Sequence, residues 1–232
     1  MDSQHRKDLK TDKFVEEVNL SVSFLAHHKK QATQYGMIAL AVLVVGLGYW
    51  MYTSRQATAR EVALADAMHV ADATVGTTPT PPSMNFATAD LKEAAVVAAY
   101  TKVADQYKSS QEGAMANMFL AGMKAGKGQL DDAAKLYQTV IDSAPAAYGS
   151  LAKMALAQVY EGQNKSADAE KILRSVIDSP TVFVSKEEAT LALGRLMVTS
   201  NPTEARKILE PLREARTAIS REAIATLGEL SR

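Results

Sequence analysis

Asp132-Ala-Ala-Lys-Leu-Tyr-Gln-Thr-Val-Ile-Asp142 can be laid over Asp168-Ala-Glu-Lys-Ile-Leu-Arg-Ser-Val-Ile-Asp178, and Glu204-Ala-Arg-Lys-Ile-Leu-Glu-Pro-Leu212 follows the same pattern, each copy 36 residues after the last. Ala133, Ala169 and Ala205 place a small side chain where two helices must approach closely, while Leu136, Ile172, Ile208 and Val140, Val176, Leu212 supply an apolar stripe at helical spacing. One such unit has nothing against which to bury its stripe, so several helical hairpins must stack to make a continuous core. Composition agrees: the chain is 47% hydrophobic but only 6% aromatic and sparing in Gly and Pro, which favours close-packed helices over a sandwich or barrel. The fold class predicted is all-α.

Working outward from these segments, the region from about Ala114 to Pro145 places Leu120, Ala121, Ala133, Tyr137, Val140 and Pro145 in a pattern that resembles the tetratricopeptide repeat. The next copy has Leu156, Ala157, Tyr160, Ala169, Leu173 and Val176 at the same positions, with Pro180 closing it one residue early. A third copy, near Lys186 to Leu212, keeps Ala205 and Leu209 but is one residue shorter in its turn, where Asn201-Pro202-Thr203-Glu204 reads as cap, first-turn proline and capping-box acid. Pro211 interrupts its second helix. Leu91 to Tyr107 reads as the second helix of an earlier repeat whose first helix the preceding stalk could supply, and Ala218 to Leu230 as a terminal capping helix. The resemblance implies an α-solenoid.

Upstream lies Tyr35 to Tyr52, a run without a charged residue that would extend about 27 Å as a helix, just enough to span a bilayer. Tyr35 marks one end and Tyr49, Trp50 and Tyr52 the other, as expected of interfacial rings. Arg6, Lys7, Lys10, Lys13, Lys29 and Lys30 precede the run, whereas the next twenty residues hold only Arg55 and Arg60, which places the N-terminus in the cytoplasm. Ala57-Thr58-Ala59 resembles a signal-cleavage site, but the apolar run exceeds the usual ~7–15-residue signal core, so an uncleaved anchor is the reading adopted. The resulting plan is a cytoplasmic amphipathic segment at 1–34, with Phe14, Val18, Val22 and Leu25 on one helical face; a transmembrane helix at 35–52; a helical stalk at 53–76; a Pro-rich linker at 77–89; and a repeat domain at 90–232.

Lys plus Arg equals Asp plus Glu at 26 each, which disfavours a nucleic-acid binder, and the absence of cysteine removes thiol chemistry and Cys-ligated metals. The adjacent His27 and His28 point in different directions from a helix and have no carboxylate cluster beside them. Gly126-Lys127-Gly128 lacks the surrounding phosphate-loop pattern and falls where the repeat needs a turn, and Asp131-Asp132 and Glu187-Glu188 sit at helix starts, where carboxylates favour the macrodipole. No catalytic, cofactor or metal site and no small-molecule substrate is predicted. What a repeat array offers instead is a groove lined by the first helix of each pair. By the family register its positions are Met115, Met118, Gly122 and Ala125, then Leu151, Met154, Gln158 and Glu161, then Glu187, Thr190 and Met197. Met115, Met118, Leu151, Met154, Gln158 and Met197 form the candidate partner-binding set, without Lys or Arg to clamp a carboxylate. Filling of an irregular core is the competing role for these methionines.

A charged start, one span and a following tetratricopeptide domain together resemble the bacterial YfgM-like family of ancillary Sec-translocon proteins. That resemblance implies an inner-membrane protein with its C-terminal domain in the periplasm, protein partners that include the translocon and a membrane-anchored periplasmic chaperone, and assistance to newly exported proteins. A scaffold of a cell-envelope complex, such as a secretion apparatus, pilus or cell-wall assembly, is the other expectation.

Overall fold

The computed structural model describes residues 29–76, 84–214 and 218–230. The expected amphipathic helix before His28 and the prolines of the linker lie outside them. The chain divides into two compact units, Met1–Thr58 and Ala59–Arg232.

In the first unit, helix α1 (Lys29–Ala71) begins, and every residue from Tyr35 to Tyr52 on it is exposed. Among the described residues it is the one helix long and apolar enough to cross a membrane.

The second unit opens with the last turns of the same helix, Ala59–Ala71, followed by α2 (Ala89–Gln106), α3 (Gln111–Gly126), α4 (Leu130–Ser143), α5 (Ala146–Gly162), α6 (Ser166–Asp178), α7 (Lys186–Met197), α8 (Pro202–Leu209), a 3₁₀ turn at Glu210–Glu214, and α9 (Ala218–Glu229). From α2 to α8 each helix packs on its successor, as stacked hairpins require, and α9 covers the last pair. The pairs α3/α4, α5/α6 and α7/α8 are the three repeats read from the sequence. Ala133, Ala169 and Ala205 are each fully buried, and Leu156 and Leu193 fill the space that these alanines leave between helices.

The boundary expected at residue 90 moves to Ala59. Leu64 and Ala67 of α1 are buried in one cluster with Val96, Tyr100, Val103 and Ala104 of α2 and with Ala116 and Leu120 of α3. The stalk therefore supplies the first helix of the first hairpin, and it is core rather than a spacer. Arg60 Nε lies 3.3 Å from the buried Glu112 Oε2 at the start of α3. Burial pushes the Glu112 carboxyl up, but hydrogen bonds from the Gln111 amide, its own backbone and Ser110, helped by the Arg60 guanidinium, outweigh it and hold the group below the usual glutamate range. The two ends of the Pro-rich segment are tied together by a short parallel ladder, β1 (Thr74–Val75) with β2 (Asn85–Phe86), a feature not expected from the sequence. The Asn85 amide reinforces it by donating to the Gly76 carbonyl at 2.8 Å.

Turns within the repeats explain the third copy. Gly128, between α3 and α4, has φ +74°, and Asn164, at the same place between α5 and α6, has φ +58°. This left-handed position admits Gly freely and Asn tolerably, which makes Gly126-Lys127-Gly128 a turn. Between α7 and α8 the chain passes through Val198, Thr199, Ser200 and Asn201 with no residue at positive φ. Instead, the Asn201 side chain caps α8 by accepting from the Glu204 amide at 3.2 Å, with Pro202 in the first turn. At its far end α8 gives way at Glu210–Glu214 to the 3₁₀ turn, as Pro211 demands. Ala223 and Leu227 of α9 close the stack over Leu191, Leu209 and Leu212.

Candidate functional site

Of the residues read as groove-lining, Met115, Met118, Leu151, Met154 and Gln158 lie on the first helices α3 and α5 with at least part of the side chain at the surface, whereas Glu187, Thr190 and Met197 of α7 do not line the slot between α5 and α7. Met115 is 42% exposed, while Met118 is half-buried and packs against the cluster around Ala114, Tyr137 and Leu156. Leu151 and Met154 are half-buried against Val176, Val184 and Ala189, and Gln158 is exposed. The thioethers of Met118 and Met154 pack partly into the core and leave the remainder at the surface. Phe119, one turn from Met115, adds a ring 38% exposed, stacked on Tyr100 at 4.0 Å between centroids. The repeat's groove register does not reach Phe119; its i+4 spacing from Met115 is the sequence signal that does.

Met197 is buried. It is 4% exposed and belongs to the core cluster with Ala157, Ala169, Leu173 and Leu193. The register of α7 is moved: Leu193 and Gly194 take the places of Leu156 and Ala157, so the equivalents of α5 lie 37 residues on, not 36, while those of α6 lie 36 on, and α7 ends earlier. Gly194 marks the shift physically. A Cβ there would come within 2.4 Å of Leu209. In this register Met197 matches the half-buried Tyr160, and the counterpart of Gln158 is Arg195.

The structure bears this out. A slot of about 110 Å³ between α5 and α7 is lined by Met154, Gln158, Glu161, Arg195 and Leu196, with Ala169 and Leu173 of α6 at its floor. The expectation of a groove without a cation is corrected by Arg195, which lines the slot and forms an ion pair of 2.6 Å with Glu222 of α9. Glu187 and Thr190 do not reach this slot. They line a separate, wider groove of about 750 Å³ with Arg174, Ile177, Ile208 and Pro211, opened where the 3₁₀ turn replaces helix. Among the described residues no group of three or more His, Asp or Glu side chains could hold a metal ion.

Stacked helical hairpins with a half-apolar face along their first helices define a helical-repeat protein of the peptide- and protein-binding class. The chain matches the tetratricopeptide repeat-like domain over residues 24–188, some seven-tenths of its length, and belongs to that family. Comparison with curated proteins and with solved structures found no match. Domains of this family typically act as protein-interaction modules rather than catalysts, which supports an adaptor role for this chain.

Proposed function

We propose that the protein is a membrane-anchored adaptor at the outer face of a bacterial inner membrane, whose repeat unit receives apolar segments of other proteins and assists the Sec translocon or a periplasmic chaperone with newly exported chains. The observation that carries this reading is the set of partly exposed apolar side chains Met115, Met118 and Phe119 on α3 and Met154 on α5, the last of which lines the slot with Gln158, Glu161 and Arg195. Flexible thioethers repack around varied apolar segments, which suits a surface that meets many sequences. The excess of Lys and Arg before Tyr35 supports a cytoplasmic N-terminus and an exported repeat unit. The span contacts lipid, and the reading assigns no cofactor, nucleic acid or small molecule.

The test joins orientation to binding. Protease added to spheroplasts should remove the repeat unit and spare an N-terminal tag; digestion of the tag would overturn the orientation. Gln158→Glu with Arg195→Glu places two negative charges at exposed positions of the slot, which helices accept readily. The doubly substituted protein should keep its helical signal and lose capture of exported chains. Undiminished capture would remove the slot from the binding surface, and retention of a single stoichiometric partner in its place would favour an envelope scaffold.

A further inference from the structure

The slot between α5 and α7 is open because one side chain is shorter in the second repeat than in the first. Its floor is made by Ala157 of α5, Ala169 and Leu173 of α6 and Leu196 of α7, all buried, and the half-buried Ala192 widens one wall. The first repeat has Ala121, Ala133 and Tyr137 where the second has Ala157, Ala169 and Leu173. Tyr137 is buried in one cluster with those two alanines. Its hydroxyl lies 4.0 Å from the place that a Cβ on Gly122 would take, at an exposed position of α3. The phenol ring thus runs from the second helix up to the surface and fills the hollow between the alanines. Leu173 lacks the outer ring atoms and the hydroxyl, and about 110 Å³ is left open beside Gln158, which stands where Gly122 does in the first repeat.

Volume sets the size of what enters. An apolar cavity of about 150 Å³ holds a benzene ring, so a hollow of about 110 Å³ takes a branched aliphatic side chain and leaves part of a phenyl or indole ring outside. Charge sets what stands beside it. Arg195 is neutralised by Glu222, whereas Glu161, exposed on the α5 wall, has no ion pair among the described residues. Lys165, the basic residue nearest to it in sequence, lies over the Tyr160 ring, 5.8 Å from the centroid. The slot therefore carries one uncompensated negative charge, which a cation on the occupant complements. Glu161 is one turn along α5 from Gln158, so its charge meets a neighbour of the entering side chain rather than that side chain itself. The Gln158 amide is free to donate to and accept from the backbone of an extended segment.

We propose that the slot anchors one aliphatic side chain of leucine, isoleucine or valine size, followed by lysine or arginine, in an extended segment of another protein. This rests on the reading of this part of the repeat unit as the place where other proteins are captured, and it divides the work of capture. Met115, Met118 and Phe119 on α3 supply apolar area that adapts to many sequences. The α5–α7 slot supplies selection, because a hollow bounded by alanines at close helix contacts does not widen without parting the helices.

Fluorophore-labelled peptides of about a dozen residues, built of Gly, Ser and Asn around a central Leu-Lys, Ala-Lys, Phe-Lys or Leu-Glu pair, are titrated with the full-length protein in phosphatidylcholine nanodiscs and followed by anisotropy. The Leu-Lys peptide should bind at least about tenfold more tightly than Ala-Lys, and about threefold more tightly than Phe-Lys or Leu-Glu. Leu173→Tyr rebuilds in the second repeat the filled hollow of the first, and Ala192→Phe plugs the slot from its wall. Each should keep the helical signal and erase the preference for Leu over Ala. Equal affinity for all four peptides, or a preference for Leu that survives both substitutions, would overturn the anchor while leaving capture on α3 intact. Leu-Glu binding as tightly as Leu-Lys would overturn the cation. Absence of binding by all four, where a photocrosslinker at Gln158 still yields adducts in cells, would overturn the anchor alone; absence of both would overturn the capture reading and this proposal with it.

Discussion

The second and third repeats are written in nearly the same letters but are built differently. In the second, Asn164 turns the chain through the left-handed region and Ala157 faces the next helix. In the third, no residue of the turn has positive φ, α7 is shifted by one position, and Gly194 stands where the alanine was because a methyl group would strike Leu209. One deleted residue is thus absorbed by one lost side chain, and the helix faces rather than the residue spacing are what the fold conserves between the copies. The same shift exchanges a buried Met197 for a surface Arg195 at the slot.

The largest effect expected from this comparison is at the position both copies share. Ala169 is fully buried, so Ala169→Trp should destabilise the repeat unit by at least about 3 kcal/mol, the upper range for overpacking. An unchanged melting temperature would mean that the helices do not meet there. A smaller effect separates the copies. Gly194→Ala should cost about 1–3 kcal/mol by pressing on Leu209, which has no surface to move into, whereas Ala157→Gly should cost about 1 kcal/mol through helix propensity and a small void. Equal costs, read from thermal unfolding, would erase the proposed shift in register. Smallest is the cap: Asn201→Ala should lose about 1 kcal/mol, while Lys165→Ala, at the uncapped start of α6, should stay within roughly 0.5 kcal/mol.

These contrasts show what the sequence made legible. Ala133, Ala169, Ala205 and the stripes beside them give the hairpins directly, because a small residue at a close helix crossing and a 3.6-residue apolar period are local signals. Membership of Ala59–Ala71 in the array was open only as a suggestion. Leu64 and Ala67 carry too short a stripe to stand out, and the partner that buries them lies beyond the Pro-rich segment. The family register places Met197 at the surface because it counts the third copy at 36 residues, whereas α7 lies 37 residues beyond α5. Arg195 is passed over by the same count, and its pairing with Glu222 joins helices that no repeat spacing relates. The β1–β2 ladder, two residues on each side, has no pattern long enough to read.

The central claim, that the first-helix face between α5 and α7 is where this repeat protein takes hold of others, is tested most directly by a photocrosslinking amino acid placed at Gln158. Lys135 is the reference position, exposed on the second helix α4. In cells producing the full-length protein, the account predicts discrete adducts with exported chains or a chaperone from position 158 and few from 135. Adducts from 135 with none from 158 would contradict it.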